Sequence, residues 1–123
     1  MGSHAAVAAE LLGDWDLVKA VLADYKTAPF SEQEKALFAF LEKVIKATAQ
    51  INQSDIDMAK ASGWTDEALY DAIMVCGLFK FFNTWTDGTG VHDMPAFAYE
   101  MSAKMLVSEG YAGGGRETTS EGL

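Results

Sequence analysis

The stretch AIMVCGLFKFFNTW, residues 72–85, decides the fold, because only Lys80, Asn83 and Thr84 within it are polar. A helix that is apolar nearly all round is buried on most of its sides. A chain of 123 residues offers too little protein to bury such a helix completely. We therefore predict a homo-oligomer in which part of the Ala72–Trp85 helix lies against another subunit. Gly77 predicts a close helix–helix crossing there, because glycine costs about 1 kcal/mol relative to alanine inside a helix.

Residues that cap helices precede the other apolar segments of the chain. Ser31 forms a capping box with Glu34, three residues further on. The remaining predicted N-caps are Asp14, Ser54 and Thr65. Pro95 suits the first turn of a last helix. Helix ends are predicted at Gly13, Gly63, Asp87–Gly90 and Gly110.

These signals predict an all-α fold in which residues 1–111 form a single domain of five or six helices. The longest helix is predicted over residues 66–85. No stretch shows the alternation of polar and apolar residues that is typical of strands. Residues 112–123, AGGGRETTSEGL, lack apolar anchors and are predicted to form a flexible C-terminal tail.

The balance of charges limits the classes of partner. Nine basic residues stand against eighteen acidic ones, which gives a net charge of −9. Nucleic acids and anionic membranes attract clustered Lys and Arg, so we expect neither as a partner. No apolar run approaches the roughly 20 residues of a membrane span, and the N-terminus lacks the basic start of a signal peptide. Because Cys76 is the single cysteine, a secreted disulfide scaffold is excluded, and we expect a cytoplasmic protein.

Four segments of the chain, together with the terminal Gly110-Tyr111, resemble a known family. They are DYKTAPFS (24–31), SDID (54–57), SGWTDE (62–67) and FKFFNTWTD (79–87). These residues are similar to those of the alkylhydroperoxidase-D-like, or carboxymuconolactone decarboxylase, family, and above all to its uncharacterised peroxidase-related members. The resemblance implies an AhpD-like helical bundle that assembles into oligomers, related to antioxidant oxidoreductases.

The resemblance also implies where the chemistry of the family would lie. Its redox-active members carry a C-x-x-C pair near the start of a helix, with a histidine a few residues later and a glutamate earlier in the chain. Met1–Ala6 resembles the residues just after the second cysteine, which places His4 in the position of the family's histidine and makes it the candidate catalytic residue. The cysteine pair itself is absent. Either the chain is part of a longer enzyme, or Met-Gly-Ser-His is the remnant of an affinity tag.

Other candidate residues give weaker signals. Cys76 lies in the middle of a helix, far from any cation, and is expected to behave as a small buried hydrophobe. His92 is expected to be a loop or capping residue. Neither histidine belongs to a metal-binding spacing, so the sequence predicts no metal and no cofactor. Three functions remain open: a peroxidase-related domain without its redox pair, a thiol-independent decarboxylase-like or ligand-binding protein using His4 or His92, and a structural oligomerisation module.

Overall fold

The computed structural model describes residues 2–111, and in that part of the chain all regular structure is helical. This confirms the all-α prediction. A short 3-10 turn follows α3 at Thr48–Gln50. The helices are α1 (Ser3–Leu12), α2 (Trp15–Asp24), α3 (Glu32–Lys46), α4 (Gln53–Ala61), α5 (Asp66–Thr89) and α6 (Ala96–Glu109). The predicted flexible tail, residues 112–123, lies outside the described residues.

The chain divides into two compact units. Among the described residues, the terminal unit combines residues 2–19 with residues 93–111, and the central unit comprises residues 20–92. The boundary falls inside α2, so that this helix begins in the terminal unit and ends in the central unit. Within residues 2–111, no helix is both long and apolar enough to cross a membrane.

The terminal unit is built on the packing of α1 against α6. The side chains buried here are small: Ala6, Ala9 and Ala103 are almost fully covered, and Val18 joins them. Alanine faces let two helix backbones approach closely, because the distance between packed helices depends on the side chains at their contact. α1 ends at Gly13, which has a left-handed backbone with φ of 65°, as predicted.

The central unit has a core made by three helices. Phe40 of α3, Ala59 of α4 and Leu69 of α5 are buried against one another. Partly buried apolar residues surround them: Leu37, Leu41, Val44, Ile51, Ile56 and Trp64. The Trp64 indole also donates a 2.8 Å hydrogen bond to the carbonyl of Gln33, which ties the start of α5 to α3.

Most of the predicted caps are confirmed. The Asp14 carboxylate accepts the Leu17 N–H at 2.8 Å, the Ser31–Glu34 capping box is complete, and Thr65 accepts the N–H of Ala68. The prediction of Ser54 as a cap is wrong, because α4 begins at Gln53, two residues earlier than a cap at Ser54 would place it. Asn52 is the N-cap of α4 and forms a capping box with Asp55. The Asp55 carboxylate accepts the Asn52 N–H at 2.9 Å.

The long helix α5 differs from its prediction in two respects. It continues four residues beyond Trp85, to Thr89, and its C-cap is Gly90, with φ of 70°, inside the predicted stop at Asp87–Gly90. The hydroxyls of Thr86 and Thr89 donate hydrogen bonds to the carbonyls of Phe82 and Trp85, one turn back. The expected close crossing at Gly77 is not made by the described residues, since a Cβ built there would meet no atom of another helix within 4 Å.

Candidate functional site

His4, the candidate catalytic residue, lies in the first turn of α1 and its side chain is exposed. It belongs to the terminal unit, whereas Cys76 and His92 belong to the central unit. His92 lies in the irregular segment that follows α5 and is exposed, in agreement with the loop prediction. Among residues 2–111 no three His, Cys, Asp or Glu side chains cluster closely enough to hold a metal ion.

Cys76 is only partly buried, which corrects the expectation of a fully buried thiol. It lies in the middle of α5, away from the helix N-terminus that could stabilise a thiolate. Burial raises the pKa of Cys76, because removal from water disfavours the charged thiolate. The thiol is therefore protonated at neutral pH and is a weak nucleophile.

A cavity of about 240 Å³ lies within the terminal unit, beside the N-terminal turns of α1 and α6. We call it the Trp15–Tyr99 cavity. Its lining includes Ala6, Trp15, Asp93, Met94, Tyr99 and Glu100. Neither histidine lines it, so the alternative of a histidine-dependent ligand site gains no support from this cavity.

Hydrogen bonds to Tyr99 fix the segment that precedes the N-terminus of α6. Its hydroxyl accepts the N–H of Met94 at 3.1 Å and donates to the Asp93 carboxylate at 3.0 Å. These contacts hold the segment before the helix against the tyrosine ring. Nothing in the sequence suggested this cavity, since its residues come from opposite ends of the chain and match no motif.

A second polar cluster, in the central unit, is centred on Glu42. The Tyr25 hydroxyl donates a 2.7 Å hydrogen bond to its carboxylate, the Lys46 ammonium lies 2.6 Å away and the Lys26 ammonium 3.7 Å away. Lys46, Tyr25 and Lys26 together lower the pKa of Glu42 to about 2. Burial, and to a smaller extent Glu42, raises the pKa of Tyr25 to about 12. The cluster joins the end of α2 to α3, and its groups are satisfied by one another.

An apolar surface runs along α5 in the central unit. Met74, Leu78, Phe81 and Trp85 follow one another at spacings of four, three and four residues, so they lie on one side of the helix. All of them are exposed in the single chain, Trp85 to 63%. The Phe81 and Trp85 rings stack with their centroids 6.3 Å apart, and Phe82 packs edge-on against Phe81. We call this set, with Phe82, the α5 apolar stripe.

Comparison with solved structures gives a helical relative. The chain superposes with a TM-score of 0.72 on an uncharacterised peroxidase-related protein from Silicibacter sp. TM1040, with 26% sequence identity over 80% of this chain. The present chain is thus similar to a peroxidase-related helical protein. It spans half the length of that relative. No protein-family model matches the chain, and no curated protein matches it either.

Proposed function

We propose that this chain is a helical domain of the alkylhydroperoxidase-D-like, or carboxymuconolactone decarboxylase, family that has no dithiol peroxidase activity of its own. The four segments described above and the similarity to a peroxidase-related structure support the family. The observation that carries the functional statement is the single cysteine. A dithiol peroxidase needs two thiols, and this chain supplies one.

The chemistry makes the requirement explicit. A thiolate attacks one peroxide oxygen, the O–O bond breaks, an alcohol leaves after protonation, and the sulfur becomes a sulfenic acid. A second thiol must then attack that sulfur and release water, forming a disulfide that a reductant opens again. Cys76 is disfavoured in the first step because its pKa is raised, and no second cysteine in the chain can carry out the next step.

His4 is proposed to occupy the position of the family's histidine, a proton-transfer group beside the redox thiols. Its exposed place in the first turn of α1 leaves the side chain accessible to such groups. Without the thiol pair, this histidine has no redox thiol from which to take a proton.

The test is consumption of tert-butyl hydroperoxide in the presence of a dithiol reductant. We expect the purified chain to consume peroxide no faster than its Cys76→Ser variant, which serves as the matched control for all other protein effects. Consumption that depends on the reductant and is lost in Cys76→Ser would contradict the proposal, because it would mean that one thiol performs both steps.

A second proposed function is assembly with further copies of the chain through the α5 apolar stripe. The 4-3-4 spacing of the stripe is the spacing of the apolar residues by which two helices pack side by side. The rings of Phe81 and Trp85 stack on each other in the single chain, so part of this surface is already ordered without a partner. Gly77 lies on the same helix with open space in front of it, so that the helix of a second copy can approach closely. A monomeric mass in light scattering at micromolar concentration would refute assembly.

A further inference from the structure

The Trp15–Tyr99 cavity combines aromatic and acidic surface. Its lining contains two aromatic side chains, Trp15 and Tyr99, the thioether of Met94, and two carboxylates, Asp93 and Glu100. Among residues 2–111, no Lys, Arg or His contributes to this lining. The cavity is therefore both aromatic and negatively charged.

The carboxylates are available to a ligand. Asp93 receives one hydrogen bond, from the Tyr99 hydroxyl, which leaves its remaining acceptor capacity open. The Glu100 carboxylate makes no hydrogen bond or ion pair with any residue between 2 and 111, although Lys104 follows it one helical turn later. Glu100 and Lys104 both line an adjoining cavity, together with Glu10, but Lys104 does not line the Trp15–Tyr99 cavity.

The two aromatic residues of the lining are positioned differently. Tyr99 is held through its hydroxyl by Met94 and Asp93, so little freedom of this side chain is lost on binding. Trp15 is the first residue of α2, directly after its Asp14 cap, and it is partly buried. Trp15 also lines the adjoining cavity.

The volume sets the size of the ligand. About 240 Å³ is far more than the roughly 15 Å³ that one water needs and falls just below the about 300 Å³ at which drug-sized pockets begin. A molecule of several non-hydrogen atoms fits this space, and a folded peptide does not.

We propose that the Trp15–Tyr99 cavity binds a small organic cation, an amine or quaternary ammonium whose alkyl groups contact the Trp15 and Tyr99 rings and whose charge faces Asp93 and Glu100. Aromatic faces attract cations through the negative potential of their rings, and indole does so most strongly. The carboxylates of Asp93 and Glu100 also attract a cation. The net charge of −9 on the chain favours its approach. This site is separate from the family chemistry proposed for His4.

Choline and 3,3-dimethyl-1-butanol are the probes, because they share shape and size and differ in the charge. Binding is followed by the NMR signal of the Trp15 indole N–H, assigned with Trp15→Phe. Choline is expected to bind with a dissociation constant of about 1–10 mM, and the neutral alcohol at least about fivefold more weakly. Glu100→Gln should weaken choline binding about threefold. Trp15→Leu has no indole signal, so its binding is followed by saturation transfer from the protein to the choline methyl protons, and it should be about fivefold weaker.

Glu109→Gln is the matched control for charge. It makes the same change on the same helix, outside the cavity, and should leave choline binding unchanged. Equal binding of choline and the alcohol would overturn the proposal, as would equal losses in Glu100→Gln and Glu109→Gln. An indole signal that does not move at roughly ten times the expected dissociation constant would also overturn it. Should Trp15→Leu fail to fold, the two probes and the two Glu variants decide the question alone.

Discussion

The Lys43 ammonium lies 2.7 Å from both carboxylate oxygens of Asp55, a two-pronged ion pair that joins α3 to α4. The Asp55 side chain is only 12% exposed, and it also accepts the Asn52 N–H in the capping box of α4. One side chain therefore serves both the packing of two helices and the start of one of them. The hydrogen bond from Lys43, and then that from Asn52, lower the pKa of Asp55 below its ordinary value of 3.8.

Because of this ion pair, we expect the stability of the fold to depend on pH in the acidic range. Because the folded state lowers the pKa of Asp55, the pair stabilises the fold above pH 3.8 and the contribution is lost as the pH falls below it. Asp55→Asn should lower the unfolding midpoint at pH 7, and the difference from the natural chain should shrink towards pH 3. Thermal unfolding followed by circular dichroism at the two pH values measures it.

Asp57→Asn is the control for this prediction. Asp57 belongs to the same helix but is exposed and accepts only a surface hydrogen bond, from Gln53. Its replacement should change the midpoint less at both pH values. Equal effects of the two substitutions at pH 7 would argue that the Lys43–Asp55 pair contributes nothing specific.

Tyr25 should ionise at a higher pH than an ordinary tyrosine. Its pKa is raised to about 12, first by burial and then by Glu42. A raised pKa means that its stabilising effect is complete below pH 10 and is lost as the pH rises to about 12. Absorbance titration of the phenolates should show a late step that Tyr25→Phe removes. Glu42→Gln should move this step only part of the way towards pH 10, because burial remains, and a complete return would assign the whole shift to Glu42.

Phe40 should be the most sensitive apolar position of the central unit. It is 6% exposed and packs against Ala59 and Leu69, so Phe40→Ala is expected to lower the free energy of unfolding by about 3–5 kcal/mol. Leu22→Ala removes a side chain that is 63% exposed and should cost less than about 0.5 kcal/mol. Urea unfolding of both variants checks the difference. Similar losses would mean that α3 is not the centre of this core.

The α5 apolar stripe should control assembly. We expect light scattering to give a multiple of 13.3 kDa for the natural chain and a smaller mass for Phe82→Asp. The helix itself should survive the change, because Phe82 is exposed in the single chain and the charge is harmful only where a partner buries it. Asn83→Asp adds a charge at the next position of α5, outside the stripe, and should leave the mass unchanged. Loss of helicity in Phe82→Asp would instead assign the residue to the fold of the single chain.

Cys76 should react slowly with alkylating reagents. Only the thiolate reacts, and burial raises the pKa of this thiol, so the folded chain should be labelled more slowly at pH 8 than the chain unfolded in guanidinium. The rate in the folded state should still be rising at pH values where a free cysteine is fully ionised. Mass spectrometry follows the reaction, with Cys76→Ser as the blank. Equal rates in the folded and unfolded chains would contradict both the burial and the pKa.

The sequence predicted much of the helical framework because caps are local signals. Asp14, Ser31 and Thr65 each satisfy an N–H within three residues, so no knowledge of distant contacts was needed. Ser54 was a wrong choice because Asn52 and Ser54 have similar capping ability. The Asp55 carboxylate accepts the backbone N–H of Asn52, and this second bond of the capping box favours Asn52. The predicted helix ended at Trp85, but the stop signal at Asp87–Gly90 was correct, because the left-handed Gly90 is the C-cap of α5.

The candidate sites were less predictable, for a physical reason. The role of His4 follows from the family resemblance alone. The Trp15–Tyr99 cavity depends on side chains more than seventy residues apart in the sequence, and no spacing rule joins them. The α5 apolar stripe was partly predictable. Its apolar composition is evident from the sequence, but its exposure depends on which other helices cover α5 in the fold.

The packing of α1 on α6 has a consequence for how the chain is made. The alanines that meet there, Ala9 and Ala103, are separated by some 94 residues, so this contact is of high contact order and is slow to form. At roughly 5–20 residues per second, a ribosome needs on the order of 5–20 s between synthesis of the two. For that interval α1 lacks the helix it packs against, while the core of α3, α4 and α5 can already close. α1 is thus made before the central core but reaches its place after it, and its alanine face is exposed to water for the whole of that interval.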